Sequence, residues 1–91
     1  MTKDEFISRV REFGDAIITY RSPESKKLKY NVCTLDFNTP YIKSKQNRAK
    51  ESDETTLLFC WDVDSFRLLR HSNVTRVEPL ASALKEGSNV R

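Results

Sequence analysis

Three short extended runs fall within the stretch Thr56 to Leu80, TLLFCWDVDSFRLLRHSNVTRVEPL, and they limit the folds open to the chain. Leu57 to Asp62 is apolar and aromatic, with Phe59 and Trp61 on one parity and Leu58 and Cys60 on the other. Asp62-Val63-Asp64-Ser65 interrupts it, and Phe66 to Ser72 and then Asn73 to Leu80 follow. Short apolar runs bounded by Asp, Ser and Asn read as buried strands. The first two runs predict a hairpin with its tip near Val63-Asp64-Ser65. Pro79 has no N–H to give to a ladder, so the third strand should end there.

Upstream, Thr2 to Phe13 reads as a helix. Thr2-Lys3-Asp4-Glu5 fits a capping box, and Asp4 and Glu5 place negative charge at the positive end of the helix dipole. Phe6, Val10 and Phe13 form one apolar stripe, and Gly14 supplies a stop. Such a stripe suits covering the open end of a small sheet better than binding a partner. Asp15 to Arg21 is β-branched enough for a first strand. Ser22-Pro23-Glu24-Ser25 is turn chemistry. Lys27 to Phe37 then alternates, with Leu28, Tyr30 and Val32 opposite Lys29, Asn31 and Cys33, which predicts a half-exposed strand paired back on the first. Asn38-Thr39-Pro40 breaks it, and Tyr41-Ile42 is expected to resume a short strand. Ser44 to Glu54 is a solvated loop or a short polar helix. Ala81 to Leu84 fits one helical turn. The reading is a mainly β chain: one domain over 1–84, a small Sm-like or SH3-like antiparallel barrel of about five strands with an N-terminal α-helix, and a frayed tail over 85–91.

At 91 residues the chain has room for one thin core. Net charge is +3, but its distribution is more informative. Arg21 to Lys50 holds eight basic and two acidic residues, whereas Glu51 to Asp64 holds five acids and no base. A chain polarised this way can present a basic surface despite a small net charge. Cys33 and Cys60 lie in apolar runs, as small buried hydrophobes of a reducing compartment do, and a disulfide requires their strands to be neighbours. No Cys/His spacing suggests a metal, and no cofactor is expected. No signal peptide or membrane-length apolar run is present, so the expected location is the cytoplasm.

Ile18-Thr19-Tyr20-Arg21-Ser22, a polar turn, then Tyr30-Asn31-Val32 resembles the opening hairpin of WYL domains, which are Sm-like barrels of bacterial and phage regulators. Leu58-Phe59-Cys60-Trp61-Asp62 is similar to their first later strand, and Phe66-Arg67 through Arg70 to Val77-Glu78 to the strand pair after it. The resemblance covers about Ala16 to Leu80. Thr56-Leu57 replaces the family's Trp-Tyr, and Ser72 and Asn73 stand where it has Asp and a second Arg. The segment between Asp36 and Thr56 is longer and more basic than the family's. The resemblance implies binding of nucleic acid or a nucleotide-like ligand on a basic face, with a role for Arg70 and more loosely for Arg67.

Catalysis has little to stand on. His71 is alone in an expected strand, no nucleophile elbow or phosphate loop is present, and two glycines could not build one. We therefore expect a non-enzymatic binding module. Candidate nucleic-acid contacts are Arg21, Lys27, Lys29, Lys43, Lys45, Arg48, Lys50, Arg67 and Arg70, tracking phosphates of single-stranded DNA or RNA. Tyr20, Tyr30, Tyr41 and Trp61 could stack on bases where exposed, although core packing suits Tyr20 and Trp61. Alternation puts Arg67 and Arg70 on opposite faces. The alternative is a phage-type accessory module that binds and modulates a protein through a strand edge, or that self-associates.

Overall fold

Thr2 starts the first helix, α1 (Lys3–Phe13), its hydroxyl accepting the Glu5 N–H at 3.2 Å. Gly14 ends it at φ 77°, its N–H bonded to the Val10 carbonyl at 2.9 Å. That left-handed conformation favours glycine. Phe6 and Val10 are fully buried and Phe13 packs partly against the same core, so the stripe covers the sheet as expected. Burying a side chain such as Phe6 stabilises the fold by about 1.5–3 kcal/mol.

The computed structural model describes residues 1–45 and 49–89. Its strands are β1 (Asp15–Arg21), β2 (Leu28–Thr34), β3 (Thr55–Cys60), β4 (Ser65–Arg70) and β5 (Val74–Pro79). They form one antiparallel sheet in the order β4-β3-β2-β1-β5. The protein is thus mainly β, five strands with an N-terminal helix, but the expected barrel is not closed: the end strands β4 and β5 do not pair with each other. Asp64 takes φ 53° in the β3–β4 turn, where the hairpin tip was expected.

Strand alternation sets two faces. Ala16, Ile18 and Tyr20 of β1, Cys33 of β2, Leu58 and Cys60 of β3 and Leu69 of β4 point inward and form the core with α1. On β2 the alternation runs against hydropathy. Asn31 is buried, whereas Leu28 and Tyr30 are 56% and 66% exposed. Register explains it: Ile18 pairs with Asn31, so Asn31 shares the inner face of Ile18, and Thr19 brings Tyr30 to the outside. The buried amide is satisfied: Tyr20 Oη donates to Asn31 Oδ1 at 2.7 Å, and Asn31 Nδ2 donates to Asp62 Oδ2 at 3.0 Å.

β2 and β3 meet over a short seam, Thr34↔Phe59 and Cys33↔Cys60, extended by the Trp61 N–H donating to the Val32 carbonyl at 2.7 Å. Carboxylates stop the ladder at both ends. Asp62 Oδ1 takes the Val32 N–H at 3.1 Å. Glu51 Oε1 takes the Leu57 N–H at 2.7 Å, and this bond, then Lys3, holds the Glu51 carboxyl below its ordinary pKa. The seam joins a three-stranded half, β2-β1-β5, to the β3–β4 hairpin.

A second apolar cluster lies on the outer face of that hairpin. Phe59 is fully buried there with ring centroids 5.3 Å from Phe66 and 5.1 Å from Trp61, and Phe37 meets Phe66 at 5.2 Å. Here one expectation is corrected: Tyr41-Ile42 belongs to a helical turn, α2 (Pro40–Lys43), not a strand. Thr39 Oγ1 accepts the Ile42 N–H at 3.2 Å and Pro40 takes the first turn, a helix start that outweighs two β-favouring residues. The turn buries Ile42. β4 also stops earlier than expected, at Arg70, because a 3₁₀ turn over His71–Asn73 links it to β5. His71 is consequently buried, bonded to the Thr56 hydroxyl, with its ring 5.5 Å from Phe6. After Pro79, α3 runs Leu80–Asn89, longer than the single turn expected at Ala81 to Leu84. No helix among the described residues is long and apolar enough to cross a membrane.

Candidate functional site

A concavity that gathers several basic side chains lies between the β1–β2 turn and β4, on the inner face. It is a cleft of about 420 Å³ lined by Tyr20, Glu24, Lys29, Arg67, Arg70 and Asn73, among others. Register builds it. Tyr20 pairs with Lys29 across β1 and β2, and Arg67 pairs with Leu58 across β4 and β3, so all three inner-face positions point toward the gap. The seam is short, so β2 and β3 part before they reach this level. Arg67 lies against the Tyr20 hydroxyl. Burial pushes the Tyr20 pKa up and the neighbouring guanidinium pulls against that rise. Among the described residues no carboxylate is within ion-pair distance of Arg67 or Lys29.

The nine candidate bases do not form one group. Lys29, Arg67 and Arg70 reach the cleft. Arg70 leaves the outer face at the strand end, opposite Thr55, and is held in an ion pair by Glu54. The opposite-face placement of Arg67 and Arg70 therefore stands, yet both reach the same rim. Arg21 is also on the outer face and donates to the Lys26 carbonyl at 2.7 Å, closing the β1–β2 turn. Lys27 lies exposed in that turn. Lys43 and Lys45 belong to the α2 segment, and Lys45 Nζ is 3.0 Å from Asp64 Oδ2 at the β3–β4 turn. The Asp64 bond raises the Lys45 pKa; Tyr41, then Lys45, lowers that of Asp64. Lys50 is exposed beside Glu51. Arg48 lies outside the described residues.

Aromatic exposure also differs from expectation. Tyr20 is core, but Trp61 is 39% exposed, its indole N–H donating to Asp15 Oδ1 at 3.0 Å. Tyr41 is half exposed and stacks on Trp61 at 24° between planes, with Lys45 Nζ 4.7 Å from the Tyr41 ring centroid. This outer platform and the inner cleft are separate surfaces.

Sequence reasoning missed the Tyr20–Asn31–Asp62 chain that braces the cleft wall. The signal was present: Asn31 falls on the parity of Cys33 inside a strand, where an amide needs partners. It also read the acidic run as one charged block. Instead Glu51, Glu54, Asp62 and Asp64 are each bonded to a separate part of the fold. Among the described residues no group of three or more His, Cys, Asp or Glu side chains is placed to hold a metal ion. Comparison of the chain with protein-family models, curated proteins and solved structures gives no match.

Proposed function

We propose that the protein is a small, non-enzymatic, cytoplasmic binding module of WYL-like type that takes a phosphate-bearing ligand, single-stranded nucleic acid or a nucleotide-like anion, in the cleft beside Arg67. The observation that carries this reading is that Arg67 and Lys29, which line one concave wall with Tyr20, have no ion-paired carboxylate among the described residues. A guanidinium in a cleft without a counter-ion favours an incoming anion, and its planar donors match phosphate oxygens. Asn73 and the rim Arg70 supply further donors. Glu24 on the opposite lip narrows the choice to ligands that reach Arg67 without lying along the turn.

The test is a titration of labelled short single-stranded DNA and RNA, and of mononucleotides, at two salt concentrations. Binding should weaken with salt, by a log–log slope of about 0.7 per phosphate contacted. Arg67→Glu and Lys29→Glu should each weaken it roughly tenfold to a hundredfold, the value of a lost charged hydrogen bond. Reversal of Lys43, Lys45, Arg48 and Lys50 together should have a smaller effect. The opposite ranking would move the site to the loop, and no salt-dependent binding of any of these ligands would end the proposal.

A second reading has its own observation. The β2–β3 register covers only Cys33 and Thr34, so the main-chain edge at Leu28 and Tyr30 meets no strand among the described residues, and both side chains are exposed. An extended protein segment could pair there. Capture of one stoichiometric protein, lost on Tyr30→Pro and accompanied by no oligonucleotide binding, would favour it.

A further inference from the structure

Cys33 and Cys60 are register partners across the β2–β3 seam, with their sulfurs 3.2 Å apart, and both are free and buried. The adjoining Val32 and Trp61 carry the ladder hydrogen bond, so the cysteine pair occupies a non-hydrogen-bonded site. At such sites Cα atoms are about 4.5 Å apart, the closest approach in an antiparallel sheet. Disulfides bridge Cα separations of roughly 4.4–6.8 Å. The remaining sulfur movement, about 1 Å, is within side-chain rotation and requires no strand to shift.

We propose that Cys33 and Cys60 are an oxidation site, a dithiol that a peroxide converts into one intramolecular cross-strand disulfide. With the Cys33 S–H donating to the Cys60 sulfur, that hydrogen bond holds the Cys60 thiol below its ordinary pKa and pushes Cys33 above it. In that arrangement Cys60, the acceptor, is the first nucleophile; with donor and acceptor exchanged Cys33 takes the same role and the product is identical. Its sulfur attacks a peroxide oxygen, the O–O bond breaks, and the departing hydroxide leaves as water with the Cys60 proton. Cys60 is then a sulfenic acid. The Cys33 sulfur attacks it, the S–S bond forms, the S–O bond breaks, and the second hydroxide leaves as water with the Cys33 proton. Two thiols are oxidised by two electrons and one peroxide is reduced to two waters.

Burial makes the reaction slower than at an exposed thiol, because the oxidant enters only when the seam opens. The immediate juxtaposition of the second sulfur then favours the disulfide over further oxidation of the sulfenic acid. The product staples the seam that joins the two halves of the sheet and closes a loop between positions 27 apart. This chemistry is independent of what the cleft binds.

The experiment treats the full chain with hydrogen peroxide, denatures it in an alkylating agent, and reads intact mass, thiol count and oligomeric state. Expected is a monomer lighter by two hydrogen atoms, with no alkylatable thiol, whose Tm rises by about 10 °C and returns on reduction. Double substitution Cys33→Ala with Cys60→Ala should abolish the mass change and the Tm rise together. Two alkylatable thiols after oxidation, addition of oxygen atoms instead of loss of hydrogens, or a disulfide-linked dimer as the product would each overturn the proposal.

Discussion

Replacing Asn31 with Ala removes the amide between Tyr20 and Asp62. The Tyr20 hydroxyl, in a residue only 8% exposed, loses its acceptor at 2.7 Å. Leaving a buried hydroxyl unsatisfied costs about 1–3 kcal/mol. The second bond, from Nδ2 to Asp62 Oδ2, is worth less than its charge suggests, because Asp62 is exposed and water replaces the donor. The expected loss is therefore about 2–3 kcal/mol, or a Tm drop on the order of 10–20 °C for a domain of this size. Trp61 is the only tryptophan, and its Asp15 bond makes its fluorescence a reporter of folding. The discriminating measurement is a double-mutant cycle by urea unfolding. Tyr20→Phe removes the orphaned hydroxyl, so Asn31→Ala should cost about 1–2 kcal/mol less in that background. Additivity of the two substitutions would refute the account, since it would mean that the hydroxyl never depended on the amide.

Two further outcomes follow from the fold. Burial, then the Lys3 charge, lowers the His71 pKa below its ordinary value, so the unfolded chain takes up this proton first as pH falls. Stability should decline as pH drops below about 6.5 and level off once the folded His71 also protonates; His71→Gln should flatten that limb in thermal melts recorded from pH 8 to 5, and an unchanged slope would exclude His71 as its source. Gly14→Ala meets no neighbour within 4 Å, so its cost should be only the φ of 77°, about 1–2 kcal/mol by urea unfolding with α1 helicity otherwise kept; a neutral result would show that the helix end relaxes without strain.

The strands, the helix and the hairpin tip were legible because each rests on a local signal. Thr2 and Gly14 mark α1, and Asp64 marks the turn. What stayed hidden depends on register. Nothing local says that Asn31 turns inward while Tyr30 turns out; that follows from pairing with Ile18 and Thr19 on another strand. Tyr41-Ile42 favours a strand by propensity, whereas the Thr39 cap and Pro40 decide for the α2 turn. Of the candidate bases, sequence could list them but not sort them. Glu54, Asp64 and the Lys26 carbonyl engage Arg70, Lys45 and Arg21, while Arg67 and Lys29 line the cleft and have no carboxylate within ion-pair distance among the described residues.

Because the β3–β4 hairpin is held to its own β2 by so few main-chain bonds, and reaches it through the long segment 35–54, the same bonds are available to another molecule's β2. Concentrated protein warmed to just below its melting point and then cooled is the condition under which hairpins would trade places between copies, giving reciprocal dimers whose every contact already exists in the monomer.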